Sequence, residues 1–284
     1  MNNPKFGFIG FGSMAKMIIR GLTEYAGINP PDIYVTRKDK AKLHEIGDTF
    51  GGVVAVETCR DIVENADIIF LCPKPLEIKG ALLEIVPFAT ESTHLISIAG
   101  CVSIDNLQSV FHGKITKYMP TLPSEVGSGV SLICHNEHVS EADAGFIETI
   151  IGKFSDNIKH VNDDECGGWG FASELTSCMP GLIASIFDNL TKAAQNHTES
   201  FCKNEIDELV VNTLYATAKF LSETGLSFEQ TVSRVATKGG ITAQGAVVFD
   251  KHLPEVFDEM FEKTLARRQE IADIITADFI GKEG

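Results

Sequence analysis

Short apolar segments alternate with longer amphipathic segments through the first half of the chain. Continuous apolar or β-branched runs predict strands near 5–10, 33–35, 53–56, 68–71, 94–98, 115–119 and 129–134. Helical spacing predicts helices near 13–25, 39–47, 58–64, 76–86 and 103–110. Because right-handed crossovers are the rule for such βαβ units, the pattern predicts a doubly wound parallel sheet with its ligand at the carboxyl ends of the strands.

After His160 the pattern changes to helical spacing with no predicted strand. The segment 163–195 carries apolar residues three and four positions apart, and further helices are predicted near 203–224, 228–236, 242–251 and 254–278. This change of period divides the chain into 1–162 and an all-α domain, 163–284. The apolar faces near 170–195 and 203–224 exceed what one small domain covers, so a homodimer or higher homo-oligomer through the helical domain is expected.

The first strand runs directly into a glycine-rich turn. The residues FGFIGFGSMA contain G-x-G-x-x-A, formed by Gly10, Gly12, Ser13, Met14 and Ala15. Gly10 suits a tight turn, Gly12 removes the Cβ between backbone and phosphate, and Ala15 allows close packing of helix on strand. The motif in this context predicts a Rossmann-like domain that binds a dinucleotide pyrophosphate at the helix N-terminus.

The end of the second strand indicates which nicotinamide cofactor is used. Thr36, Arg37 and Lys38 follow the strand, with no acidic residue before Asp39. NAD enzymes place a carboxylate here for the ribose 2′-hydroxyl, whereas cations suit the 2′-phosphate of NADPH. NADPH is therefore favoured, with NADH left open, and an ordinary solvated turn is the alternative interpretation.

Charge and hydropathy exclude other classes of partner. The net charge of -15 disfavours nucleic acid and anionic membranes, and no apolar run approaches the length of a membrane span. The first strand follows the polar N-terminus at once, which leaves no secretory leader and favours the cytoplasm.

Cysteine and histidine patterns predict no metal site. The seven cysteines are odd in number and lack C-x-x-C, so they are expected to be reduced core thiols. His135 and His138 form H-x-x-H in an expected polar loop, with no thiol or carboxylate set to complete a zinc site.

Five segments in order resemble the pyrroline-5-carboxylate reductase family. They are GFIGFGSMA, ADIIFLCPKP, LISIAGCVSIDNL, YMPTLPSEVGSGVS and VATKGGITAQGAVVFDKH. The resemblance implies NAD(P)H-dependent reduction of the cyclic imine 1-pyrroline-5-carboxylate to L-proline, in proline biosynthesis. It also implies a small imino acid substrate and a homo-oligomer with interlocking helical domains.

By this resemblance, the loops after two strands border the cofactor. Cys72, Pro73 and Lys74 end the fourth strand, and Pro120 follows a later one. Lys74 could contact the cofactor or have a structural role. Thr121 stands where relatives carry Asn, so nicotinamide positioning is expected to differ.

The resemblance also assigns a substrate site. Thr237, Gly239, Gly240 and Ile241 precede Thr242 at a predicted helix start, where free N–H groups suit a substrate carboxylate. Thr242 matches the family threonine, whose hydroxyl could orient the imine nitrogen or relay a proton from water. Helix capping is a compatible structural interpretation.

With Thr121, two further departures keep alternatives open. Lys238 replaces a usual proline, and Met179 occupies a stretch that is small in relatives. Glu174 precedes Met179 as an expected solvated helix residue, with an acid or base role as the alternative if it is buried. A related imine reductase with another imino acid substrate remains possible. So does a non-catalytic dinucleotide-binding paralogue, since late competence proteins share T-S-C and G-G-I-T variants.

Overall fold

The computed structural model describes residues 4–164 and 168–281. Its eight strands form one sheet in the order β3-β2-β1-β4-β5-β6-β7-β8. Every neighbouring pair is parallel except β6 and β7, which are antiparallel. The strands are Phe6–Ile9 (β1), Ile33–Thr36 (β2), Val54–Ala55 (β3), Ile68–Leu71 (β4), His94–Ser97 (β5), Lys114–Met119 (β6), Val130–His135 (β7) and Asn157–His160 (β8). The predicted doubly wound sheet is confirmed.

Helices connect the strands and then continue alone. The α-helices are Ser13–Arg20 (α1), His44–Thr49 (α2), Cys59–Asn65 (α3), Ile78–Ile85 (α4), Ile104–Gln108 (α5), Glu141–Ile151 (α6), Gly168–Ser173 (α7), Met179–Gln195 (α8), Lys203–Thr224 (α9), Phe228–Val235 (α10) and Ile241–Ile280 (α11). The all-α C-terminal region follows the sheet, as the change of period predicted.

The central strands are apolar along their whole length because helices cover both faces of the sheet. All residues of β1 and β4 are buried, and Phe8 stacks on Phe70 with ring centroids 4.7 Å apart. On one face, Met17 and Ile18 of α1 are fully buried in the core. Burial of this kind contributes about 1.5–3 kcal/mol per large apolar side chain.

Two features of the sheet differ from the prediction. Strand β8 was not expected, because only Ile158 in its sequence is apolar and an edge strand needs little apolar surface. The expected polar loop at His135 is also wrong, since His135 is the partly buried last residue of β7. Strand β8 is the edge strand on this side of the sheet, and β7 lies next to it.

Two helical stretches also differ. The predicted break before Pro254 is absent, and α11 is continuous through it. One proline removes one intrahelical hydrogen bond, which a helix of this length tolerates. Between α7 and α8, residues Glu174–Cys178 form a π-helical turn just before Pro180, which has no N–H to donate.

The described residues form two compact units. One contains the chain up to Pro180 together with the end of α11 from Thr264, and the other is Gly181–Lys263. The division predicted at 162/163 followed the change from strands to helices. The end of α11 belongs with the sheet because Ile275 and Phe279 are buried in its core.

The described cysteines are free thiols, most of them partly buried, whereas Cys202 is exposed and departs from the core expectation. Cys166 lies outside the described residues. Among residues 4–164 and 168–281, no helix has both the length and the apolar character that crossing a membrane requires.

Candidate functional site

The turn after β1 is built on a glycine that no other residue replaces without strain. Gly10 has φ +102°, and its N–H donates to the carbonyl oxygen of Thr36 at 2.9 Å. A Cβ on Gly10 would lie 3.0 Å from the carbonyl carbon and oxygen of Cys72. The turn therefore packs directly on the main chain at the end of β4.

Gly12 opens the next helix without obstructing it. It is the N-cap residue of α1, with no side-chain cap and no acidic residue in the first helical turn. A Cβ built on Gly12 would meet nothing within 4 Å, so space lies beside the helix N-terminus. Ser13 and Met14 begin α1, and Ala15 is fully buried against the core. Free N–H groups and the helix dipole make this end of α1 suited to an anion.

A cavity of about 490 Å³ adjoins this turn. It brings together five residues predicted from the sequence, which are Gly10, Thr36, Arg37, Lys38 and Pro73. Leu76 of the 3₁₀ turn Pro75–Glu77 and Gly80 of α4 also line it. The cavity lies at the carboxyl ends of β1, β2 and β4, where doubly wound sheets bind ligands.

Two cations of this cavity, Arg37 and Lys38, have carboxylate partners. Arg37 donates to Glu45 at 2.5 Å, and this hydrogen bond holds the pKa of Glu45 below its usual value. Lys38 donates to Glu77 at 2.9 Å, which raises the pKa of Lys38. A bound phosphate would compete with Glu45 and Glu77 for these donors, and the cation charge is present at neutral pH to bind it.

Sequence reasoning missed a third cation at the same place. Lys40 lines the cavity, and its Nζ donates to the hydroxyl oxygen of Thr36 at 3.0 Å. Thr36 is 1% exposed and its hydroxyl donates onward to the carbonyl of Glu57. The sequence signal that could have indicated Lys40 is its position four residues after Thr36, across the turn that follows β2.

The two loops expected to border a cofactor differ in what their residues do. Pro73 lines the cavity, whereas Cys72 is a partly buried residue whose thiol pKa is raised by burial, which makes it a poor nucleophile. Lys74 precedes the short 3₁₀ turn Pro75–Glu77 and is not among the lining residues. A cofactor contact by Lys74 stays a prediction.

The loop after β6 is tied to β7. Thr121 is 3% exposed, and its hydroxyl oxygen accepts from the N–H of Val130 at 3.3 Å. Gly129 approaches so closely that a Cβ there would lie 2.6 Å from the same hydroxyl. Thr121 thus holds the loop of Pro120 in place, and a cofactor contact by Pro120 stays a prediction.

Glu174 is not the solvated helix residue that was expected. It is 2% exposed, and its Oε1 accepts from Arg268 Nε at 3.0 Å and Nη2 at 2.9 Å. Its Oε2 is buried without a hydrogen-bond partner. Burial, with Glu174 nearby, raises the pKa of the Cys178 thiol. The partner is 94 positions away in sequence, which is why spacing alone did not indicate this pair.

The predicted substrate residues form one turn in the helical unit. Gly239 has φ +76°, and the N–H of Gly240 donates to the carbonyl of Thr237 at 2.8 Å. A Cβ on Gly240 would lie 2.6 Å from the Thr237 hydroxyl, so the turn requires glycine there. Helix α11 begins at Ile241, and both Ile241 and Thr242 are exposed. The helix N-terminus carries no acidic residue in its first turn.

Comparisons with known proteins agree with this architecture. Residues 5–100 match the family described as NADP oxidoreductase, coenzyme F420-dependent, and residues 170–271 match pyrroline-5-carboxylate reductase dimerisation. The chain is 34% identical over 264 residues to pyrroline-5-carboxylate reductase 3 of Bacillus subtilis, covering 93% of this chain and 95% of that protein. The chain belongs to the pyrroline-5-carboxylate reductase family.

Membership of the pyrroline-5-carboxylate reductase family confirms the resemblance seen in the motifs. A pyrroline carboxylate reductase from Plasmodium falciparum, solved with NADP bound, has the same fold with a TM-score of 0.82 at 21% identity, over 97% of this chain and 99% of that one. The chain is also similar to ComE operon protein 4 of Bacillus subtilis, at 23% identity over 97% of this chain and 99% of that protein.

Proposed function

We propose that this chain is an NADPH-dependent oxidoreductase that reduces the C=N bond of 1-pyrroline-5-carboxylate to give L-proline. The observation that carries the proposal is the turn after β1, where the strained Gly10 and the open Gly12 leave room at the N-terminus of α1. Family membership, at 34% identity to a named reductase, supplies the reaction class. The pathway served is proline biosynthesis.

The residues of the cavity fit NADPH. The N–H groups of Ser13, Met14 and Ala15 would hold the pyrophosphate, since Gly12 puts no side chain in the way. Arg37 would hold the 2′-phosphate, with Lys38 and Lys40 beside it. NADPH, when bound, supplies a hydride to the imine carbon. NADH lacks the 2′-phosphate, so these cations favour NADPH over NADH.

The turn before α11 is the proposed substrate seat. The N–H groups after Gly239 and Gly240 would bind the imino acid carboxylate, strengthened by the helix dipole. The hydroxyl of Thr242 would orient an imine nitrogen that is already protonated, or relay a proton from water to one that is not. Thr237 supports this turn through its carbonyl, which accepts from Gly240 at 2.8 Å.

A homodimer or higher homo-oligomer through the helical region is part of the proposal. In the unit Gly181–Lys263, Phe187 and Leu190 of α8 and Leu209 and Leu214 of α9 line an apolar groove of about 300 Å³. Leu209 is 56% exposed, and the match to the dimerisation family spans this region. A second copy would remove this surface from water.

Steady-state kinetics test the function. We expect the purified chain to oxidise NADPH when 1-pyrroline-5-carboxylate is added. Thr242→Val should lower kcat, because it removes the hydroxyl and keeps the branched shape, while the control Thr242→Ser should retain most activity. Equal rates for the wild type and Thr242→Val would show that Thr242 has no role in the reaction. If neither protein turned over the substrate, the proposed reductase activity would be refuted.

A second candidate is reduction of a different imino acid, and it rests on Lys238 beside the proposed carboxylate seat. Lys238 stands in the turn between Thr237 and Gly239, where an added cation could favour another acidic substrate. A panel of five- and six-membered cyclic imino acids separates the two. Preference for the pyrroline would exclude this candidate.

A non-catalytic dinucleotide-binding paralogue is the third candidate, and it rests on the T-S-C and G-G-I-T variants of this sequence. It predicts NADPH binding without turnover of any imine in the panel. Measurable steady-state reduction of one imine would exclude it.

A further inference from the structure

Two histidines and a glutamate meet at the far edge of the sheet. His135 Nε2 lies 3.3 Å from Glu148 Oε1, and His160 Nε2 lies 3.1 Å from Glu148 Oε2. One donor atom from each of the three residues lies within 4.8 Å of the other two. This cluster is separate from the cofactor cavity, none of whose lining residues belongs to β7, β8 or α6.

The fold brings these three side chains together, although their spacing in sequence does not indicate a shared site. Strand β8 pairs with β7 in parallel, with His160 beside Ile133, so His135 lies two residues further on the same face. The centroids of the two imidazole rings are 6.0 Å apart. Helix α6, which connects the two strands, supplies Glu148 between them. Three consecutive elements thus contribute one residue each.

A buried hydroxyl holds the first imidazole in place. Thr116 Oγ1 lies 2.7 Å from His135 Nδ1 and 2.7 Å from His94 Nε2. With Nδ1 engaged by Thr116, the Nε2 atom of His135 is the one directed at Glu148. Metal-binding histidines are oriented in this way, with the second ring nitrogen bonded to a fixed oxygen.

We propose that His135, Glu148 and His160 bind a divalent transition-metal ion, with zinc preferred. Two imidazole nitrogens and one carboxylate oxygen are a donor set that zinc accepts. One donor atom from each residue already lies within 4.8 Å of the other two, so small side-chain rotations would bring the three to the spacing of about 3.3 Å that metal–ligand bonds near 2.0–2.1 Å require in a tetrahedron. Water would occupy the fourth position.

The position of the cluster suggests what the ion does. Strand β8 is the edge strand, and the side chain of His160 is 60% exposed. An ion shared by β7, β8 and α6 would fasten this edge strand to the sheet. It would stabilise the folded chain by mass action, because the unfolded chain does not hold the three ligands together.

Zinc titration of the chelator-treated full chain tests the proposal. We expect one zinc ion per chain and a rise in thermal midpoint with zinc concentration. His160→Gln and Glu148→Gln should each weaken zinc binding about tenfold or more, because each removes one of three ligands. The matched control is His138→Gln, since His138 is exposed and lies outside the cluster. Circular dichroism verifies that each variant is folded.

Cobalt replaces zinc to identify the donor atoms. The bound ion should give visible absorption without the intense thiolate charge-transfer band, because the cluster contains no sulfur. The proposal is overturned by an absence of saturable zinc binding, by equal binding in His160→Gln and the wild type, or by a thiolate band. None of these readouts depends on imine reduction, so failure of the metal site and failure of the proposed activity are distinguishable.

Discussion

Substitution by alanine should have different effects at the two glycines in the turn after β1. At Gly10 it should lower stability, and at Gly12 it should lower NADPH affinity. Gly10→Ala places a residue with a side chain at φ +102°, which costs about 1–3 kcal/mol. Its Cβ would also lie 3.0 Å from the carbonyl carbon and oxygen of Cys72 and 3.2 Å from the nitrogen of Pro73. These are main-chain atoms that cannot rotate aside, so crowding adds about 1–3 kcal/mol.

Gly10→Ala should therefore lower the free energy of unfolding by about 2–5 kcal/mol. Gly12→Ala is the matched comparison, because Gly12 has φ -88° and its Cβ would meet nothing within 4 Å. Its unfolding free energy should change by less than about 1 kcal/mol. Its methyl group would nevertheless stand where the pyrophosphate approaches, so NADPH affinity should fall about tenfold or more.

Urea unfolding followed by circular dichroism measures the first effect, and fluorescence titration with NADPH measures the second. Wild-type stability in Gly10→Ala would refute the strain argument for this turn. Wild-type NADPH affinity in a folded Gly12→Ala would show that the pyrophosphate does not pass over Gly12. The two results are independent, so one variant tests the fold and the other tests the site.

Three further variants test separate parts of the account. Arg37→Gln should raise the KM for NADPH about tenfold and leave that for NADH unchanged, because only NADPH carries the 2′-phosphate; equal effects on both cofactors would contradict this, as steady-state kinetics would show. Arg268→Met should lower the free energy of unfolding by about 3–5 kcal/mol in urea, since it leaves Glu174 buried without its partner, whereas adding Glu174→Met should restore most of it; no recovery in the double variant would refute the pairing. Burial lowers the pKa of His94 from 6.5 to about 4, so the unfolded state takes up the proton first and stability should fall as pH drops through that window, by at most about 3 kcal/mol. His94→Gln should flatten this dependence in unfolding curves measured at each pH, and an unchanged slope would exclude His94 as its source.

The sequence predicted the turn after β1 and the central strands, because residues close together in sequence determine both. The turn from β1 into α1 needs glycine at Gly10 for its backbone and a small residue at Ala15 for its packing, so its sequence is characteristic. The central strands are buried on both faces and read as continuous apolar runs. Family motifs added the reaction class, which neither burial nor periodicity contains.

What sequence could not predict depends on distant partners. Glu174 is buried because Arg268 neutralises it, and nothing near Glu174 in sequence reveals that partner. Strand β8 forms because it pairs with β7, since its one apolar residue, Ile158, does not produce a strand pattern in the sequence. The cluster of His135, Glu148 and His160 likewise needs residues from three elements, so the H-x-x-H spacing of His135 and His138 did not reveal it.

The most direct test of the central claim is the product balance of the reaction. Purified wild-type chain is incubated with 1-pyrroline-5-carboxylate and NADPH, and the L-proline formed is quantified against the NADPH oxidised. The account predicts that the two amounts are equal throughout the time course. Saturable NADPH binding with no L-proline formed would contradict it.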